Sequence, residues 1–327
     1  MKKFKPLVPG VYFGLDEVHY HTDPAVGSTD IRRLRRSAPD YWWHSHMNPS
    51  RPPVDEVKPT PSRLLGKAMH KLVLEGQAAF DRLYMRRQDD WAGATSADKS
   101  AVTKAANAEA AKVGKSSLKG DDYDRTLIAG MMISKNPNLA GAFDGGASEV
   151  SVFWDHPRIE GLRLKVRFDK LKPRGIGDLK SIANERGREF GTACRNAISD
   201  YRYDIQARHY LDGRAQIPAL FKAGAVFDEE GLVVTDGPEF DLIEACAAEK
   251  AFAFQWVFFQ SQDSPIAMGY VLSPANPICK VAALEIDNAL AIWEQFMEQF
   301  GPKQMWLLTG PVEELSADEL PMWFGRG

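Results

Sequence analysis

Glu149-Val-Ser-Val-Phe-Trp-Asp155, Leu162-Arg-Leu-Lys-Val-Arg-Phe-Asp169 and Gly175-Ile-Gly-Asp-Leu-Lys180 decide the fold. In each segment apolar and polar residues alternate, the period of a half-buried strand. His156-Pro-Arg-Ile-Glu-Gly161 reads as a turn between the first two. Three such strands joined by short connections make an antiparallel meander.

Before this stretch the pattern is helical. Gly27-Ser-Thr-Asp30 offers N-cap residues to a helix over about 31–46. Pro49, Pro52, Pro53, Pro59 and Pro61 then mark a loop, because proline cannot donate in a ladder and breaks helices. Ser62 is placed to cap a helix over 63–74 that Gly76 ends. Residues 96–115, rich in Ala and Lys, read as an exposed helix, and 121–135 as another. After the meander the pattern gives helices near 187–196, 200–211 and 242–251. A strand pair at 252–260 and 266–272 and a long amphipathic helix at 282–300 complete it. The expectation is an α/β fold: a central mixed sheet flanked by helices, in one elaborated domain over 1–327. Residues 1–145 form its mainly helical N-terminal region, and 146–327 hold the sheet and the C-terminal region.

Composition narrows the class. With 327 residues, 44% hydrophobic and 26% charged, the chain can bury a real core and is neither disordered nor collagenous. No apolar run reaches the roughly 18 residues of a spanning helix, so no membrane role is expected. The basic start Met1-Lys-Lys-Phe-Lys5 lacks an apolar core, so no secretory signal is read there. Three distant cysteines suit a reducing, cytoplasmic compartment. The net charge of -3 leans away from nucleic acid, but residues 1–220 carry +9 and residues 221–327 carry -12.

Four places carry candidate chemistry. Gly66 and His70 share a helix face, where a glycine lets another backbone approach the histidine. Lys165, Arg167 and Asp169 share a strand face opposite Val166 and Phe168. Asp178 and Lys180 flank Leu179 in the same way. A carboxylate pair can hold Mg²⁺, and an adjacent ammonium can orient an attacking water and offset charge on a phosphate. Gln206 and Tyr210 share a helix face, with Tyr203 close to the same stripe. Each place alone also fits an ordinary core or a solvated face.

Arg32, Arg33, Arg35 and Arg36 with Tyr41, Trp42 and Trp43 fit a phosphate contact with base stacking, and equally a solvated face over a core. Arg158, Arg163, Lys165, Arg167, Lys170, Lys172 and Arg174, around the proposed active strands, fit a phosphate track better. His19 with His21 and His44 with His46 lack acidic or cysteine partners at usual metal spacing.

The order of these motifs resembles the RecB-like branch of the PD-(D/E)xK nucleases. Gly10-Val-Tyr12, Ser28-Thr-Asp-Ile-Arg-Arg-Leu34, Gly66-Lys-Ala-Met-His-Lys-Leu72 and Ser148-Glu-Val-Ser-Val-Phe-Trp154 resemble phage exonuclease VIII (RecE-type) domains. So do Leu164-Lys-Val-Arg-Phe-Asp169, Asp178-Leu-Lys-Ser181, Tyr203-Asp-Ile-Gln206 and Leu320-Pro-Met-Trp323. The resemblance spans about residues 10–325.

It implies a PD-(D/E)xK core with Asp169 and Asp178 as central metal ligands, Lys180 as the catalytic lysine and His70 as a further ligand. Glu149 would be ligand or scaffold, and the Leu179 carbonyl would face the metal. Gln206 and Tyr210 would contact DNA or position the lysine. The implied activity is Mg²⁺-dependent (Mn²⁺ may substitute) 5′-to-3′ digestion of linear duplex DNA, leaving 3′ single strands for annealing. A homotetrameric ring and a RecT-type annealing partner go with it. A RecB-like endonuclease or flap nuclease, or an inert DNA- or protein-binding module, are the alternatives. Three dispersed cysteines do not suit an iron–sulfur cluster, so none is expected.

Overall fold

The alternation seen in the sequence becomes one buried sheet. In a computed structural model of the chain, which describes residues 5–51, 60–88 and 95–321, the elements run as follows. β1 (Gly10–Tyr12), α1 (Glu17–Thr22), α2 (Ser28–Arg36), α3 (Ala38–His44), α4 (Pro61–Glu75) and α5 (Gln77–Leu83) come first. Next are β2 (Tyr84–Arg86), α6 (Ser96–Lys112), β3 (Ser116–Leu118), α7 (Gly120–Lys135) and α8 (Pro137–Ala140). The meander is β4 (Ala147–Asp155), β5 (Arg163–Lys172) and β6 (Gly175–Ile182). Then come α9 (Phe190–Asp200), α10 (Tyr203–Lys222), β7 (Val226–Phe227), α11 (Gly237–Ala248), β8 (Ala253–Gln260), β9 (Ala267–Leu272) and α12 (Pro277–Phe300). Of the Leu320-Pro-Met-Trp323 motif, Met322 and Trp323 lie outside the described residues, as do Pro52, Pro53 and Pro59 of the loop.

Seven strands form a mixed sheet in the order β7-β1-β4-β5-β6-β8-β9. The meander is antiparallel throughout, β6 and β8 are parallel, and β8 and β9 are antiparallel. The N-terminal β1 joins the same sheet beside β4. One face carries Val150, Val152, Trp154, Val166 and Phe168 into the main core with residues of α2, α10 and α12. The other face buries Leu179, Val257 and Phe259 against Met69 of α4, Ile133 of α7 and Leu139 of α8. Gly213 lets α10 lie close on β4 and β5, since a Cβ there would sit 2.6 Å from Val166 and 3.1 Å from Trp154.

Two local expectations differ. The helix expected over 31–46 is two helices, because Ser37 leaves helical geometry (φ -167°) and its side chain caps α3 through Asp40 N. Pro39 fits the break, since it has no N–H to give the Arg35 carbonyl four residues back, its ring would crowd that carbonyl in a continuous helix, and it suits the first turn of a new helix. Thr60 rather than Ser62 caps α4. Tyr41 and Trp42 are buried core residues, and the guanidinium groups of Arg35 and Arg36 pair with Glu285 and Asp40. That segment is therefore mainly scaffold.

Candidate active site

The site lies where the β5–β6 ladder opens. Phe168 and Leu171, three residues apart, both enter the main core, so the alternation slips at Asp169 and Lys170. Pairing of β5 with β6 is regular from Lys172↔Gly175 to Lys170↔Gly177. At the next position the Leu179 N–H donates to Asp169 Oδ2 at 2.8 Å, so a side chain stands where a strand partner would. Across from Asp169, Glu149 adopts a left-handed backbone (φ 57°) while the register continues on both sides. That conformation costs a non-glycine residue about 1–2 kcal/mol.

α4 crosses this opening and supplies His70. Its Nε2 lies 3.2 Å from the Leu179 carbonyl oxygen and its Nδ1 lies 3.6 Å from Asp169 Oδ2. Ligand atoms of His70, Glu149 and Asp169 all lie within 4.8 Å of one another. No backbone approaches Gly66, which faces open space, so its expected role beside His70 is not seen. Arg167 Nε donates to Glu149 Oε2 at 2.6 Å and its Nη1 to the Leu15 carbonyl at 2.9 Å. Glu149 therefore keeps one carboxylate oxygen clear of that pair.

Asp178 stands on the α10 side of β6 and is fully buried. Gln206 Nε2 donates to its Oδ1 at 3.1 Å, and Lys180 Nζ lies 2.5 Å from its Oδ2. Burial pushes the Asp178 carboxyl up, the nearby Asp169 adds to this, and Lys180 opposes both. Burial works against the Lys180 ammonium, but the Asp178 and Asp169 charges outweigh it and hold its pKa above the usual lysine value. Lys180 Nζ also sits 5.2 Å from the centroid of the Tyr203 ring. Tyr210 packs edge-on against Phe168 and Phe254 instead, and burial drives its hydroxyl well above its ordinary pKa.

The fold thus assembles two neighbouring groups: His70, Glu149 and Asp169 with the Leu179 carbonyl, and Asp178, Lys180 and Gln206 with Tyr203. The sequence places Arg167 and Tyr203 beside the candidate residues but does not give Arg167 its role as the clamp on Glu149 or Tyr203 its place at the lysine. Arg167 is two residues before Asp169 on one strand face, and Tyr203 is three before Gln206 on one helix face, so spacing held both signals. The donor set near His70 consists of carboxylate and carbonyl oxygens with one imidazole. It fits a divalent cation of the Mg²⁺ or Mn²⁺ kind, oxygen-seeking and tolerant of a nitrogen ligand.

Most cations of the expected phosphate track are engaged by the chain itself. Lys165 is buried and donates to the Tyr20 and Asp23 carbonyls, both at 2.8 Å. Arg163 bonds the Leu7 carbonyl and Asp155, Lys170 the Ser148 hydroxyl, and Lys172 the Gly141 carbonyl. These cations tie β5 to its surroundings. Arg158 and Arg174 make only exposed ion pairs, with Asp287 and Glu249.

Among the described residues, no helix is long and apolar enough to cross a membrane. A family model described as a PDDEXK-like domain of unknown function (DUF3799) matches residues 45–225, a span containing all seven residues from His70 to Tyr210 whose side chains are proposed for the site. A solved structure from Eubacterium rectale, described as a "Putative exonuclease", is similar with a TM-score of 0.46 and 12% identity, covering 84% of this chain and 83% of that one. None of the curated proteins compared matches.

Proposed function

We propose a function from the premise that this chain belongs to the PDDEXK-like family and carries a PDDEXK-like nuclease domain. The reading is a divalent-metal-dependent exodeoxyribonuclease, with Mg²⁺ preferred and Mn²⁺ able to substitute. It digests linear duplex DNA from 5′ ends and leaves 3′ single strands for annealing. The observation that carries the reading is the buried Asp178–Lys180 pair, held by Gln206, beside the His70, Glu149 and Asp169 cluster.

His70, Asp169, Glu149 and the Leu179 carbonyl would hold the cation, with Asp178 as the neighbouring carboxylate. When bound, the cation supplies Lewis-acid polarisation of the scissile phosphodiester. Lys180 presents a positive charge where negative charge builds on the phosphoryl oxygens, and its N–H groups orient the attacking water. Gln206 fixes the Asp178 carboxylate by its 3.1 Å hydrogen bond, and Asp178 in turn fixes Lys180. Arg167 holds one oxygen of Glu149 and so limits how that carboxylate can turn. A homotetrameric ring and a RecT-type annealing protein are the assembly and partner that go with this reading.

The test is digestion of end-labelled linear duplex and of a covalently closed circle, each with Mg²⁺, Mn²⁺ or chelator. Release of label from 5′ ends of the linear duplex alone supports the proposal. Cutting of the closed circle means an endonuclease, and no cutting of either with both metals means an inert binding module.

A further inference from the structure

Beside the lysine site lies an exposed aromatic surface that the proposed chemistry leaves unused. Tyr201 is 61% exposed, the most exposed aromatic among the described residues. Its ring lies 5.5 Å from that of Tyr203, tilted by 34°, and the Tyr203 ring lies 5.2 Å from Lys180 Nζ. Tyr201 is thus two ring contacts from the catalytic lysine and open to solvent.

The turn between α9 and α10 holds it there. Arg202 takes a left-handed backbone (φ 51°), a strained choice for a residue with a side chain. Its guanidinium grips Asp204 through two 3.0 Å hydrogen bonds, and Arg32 Nη1 donates to the Tyr201 carbonyl at 2.7 Å. A strained turn persists only where its surroundings determine it, and such turns gather at functional sites. Here its effect is to set two tyrosine rings side by side, one under the lysine and one outside. A single exposed aromatic is ordinary on a protein surface. One anchored through its own carbonyl and in ring contact with Tyr203, which itself lies at the catalytic lysine, is placed for a ligand.

We propose that Tyr201 is the stacking platform for a nucleobase next to the scissile phosphodiester. The inference rests on the nuclease reading and adds a base subsite to it. Every nucleobase has a π-face, so the subsite would be tolerant of sequence. It would favour an unpaired or fraying base, because a base within an intact stack does not present its face.

The test uses an oligonucleotide duplex with a short unpaired end carrying 2-aminopurine, titrated with protein in chelator. Wild type should quench the probe. Tyr201→Ala should bind about tenfold more weakly, with the quench lost, and Tyr201→Phe should keep both. Because Tyr201 is exposed, the Ala variant should keep the wild-type melting temperature. Equal affinity and equal quench in wild type and Tyr201→Ala would overturn the subsite, as would an unquenched wild-type complex. Cleavage with Mg²⁺ or Mn²⁺ is scored separately. A wild type that cuts no DNA defeats the nuclease reading, while the chelator titration still decides the base subsite.

Discussion

The position of α10 on the sheet should depend on pH through one imidazole. His209 lies on α10, three residues after Gln206, and is 1% exposed. Its Nε2 donates to the Lys165 carbonyl at 3.0 Å, and its ring lies 5.2 Å from that of Trp154. Burial pushes its pKa from 6.5 down to about 4, against a smaller opposing effect of the hydrogen bond to Lys165. Between those two values the unfolded chain binds the proton and the folded one does not. Stability is therefore intact above pH 6.5 and is lost as the pH falls towards 4. From pH 7.5 to pH 5 the loss from this group is about 2 kcal/mol, at about 1.36 kcal/mol per pKa unit. Other groups titrate in this range too, so the comparison is with His209→Gln, whose amide can still donate to Lys165. Urea unfolding of both proteins at the two pH values isolates the histidine. The stability of wild type relative to the variant should fall by about 2 kcal/mol at pH 5. A relative stability unchanged to within a few tenths would refute the reasoning, because the imidazole would then be taking up its proton in place.

Four further outcomes are expected. Lys180→Ala should lower the cleavage rate at least about 10²-fold, about 2.7 kcal/mol, while DNA binding persists, and full activity would sink the assignment. Mn²⁺ at about a hundred times its Kd should stabilise wild type by about 3 kcal/mol in thermal unfolding, and Asp169→Asn should lose that gain. Arg167→Met leaves the Leu15 carbonyl and the Glu149 carboxylate without their donor and should lower stability by about 1–3 kcal/mol, read from the urea midpoint. Lys172→Met should leave the salt dependence of DNA binding unchanged, whereas a loss of about one in the log–log slope would return Lys172 to a phosphate track.

The fold was legible because its decisive segments obey one period. The sequences of β4, β5 and β6 alternate in residue type over most of their length, slipping only at Asp169 and Lys170, and the joining turn at Gly161 has the positive φ that suits glycine. The two-helix break at Ser37 is written in the sequence at Pro39, which sits two residues after it in the first turn of α3. The candidate site was readable only in part. Residue types and spacing marked His70, Asp169, Asp178, Lys180 and Gln206 as candidates, and only the resemblance of their order to a nuclease family gave them roles. Spacing alone does not say that Arg167 turns to Glu149 or that Tyr203 lies at the lysine, since both depend on which strand or helix packs alongside. The charge pattern does not say which cations face solvent. Seven cations around β5 look like a polyanion surface in sequence, yet Lys165, Arg163 and Lys172 donate to main-chain carbonyls of distant segments. A lysine spent on a buried carbonyl and a lysine facing a phosphate are the same letter.

Glu149 and Asp169 are the two points where strand rules fail, and they face each other across β4 and β5. Glu149 leaves the extended region, and Asp169 accepts the Leu179 N–H that a regular ladder would give to a backbone oxygen. The left-handed backbone of Glu149 costs stability, and neither departure is needed to bury the core, which is continuous on either side. Their joint effect is to bring two carboxylates and the His70 imidazole within 4.8 Å. Like charges so close repel unless cations lie nearby: Arg167 pairs with one oxygen of Glu149, and the Lys180 ammonium lies close enough to Asp169 to feel its charge. A regular strand pair would be more stable without a ligand. A divalent cation bound there would offset the remaining charge and favour the irregular one. The donor geometry therefore fits a divalent cation, with the cost of the Glu149 backbone carried by the folding energy of the sheet around it.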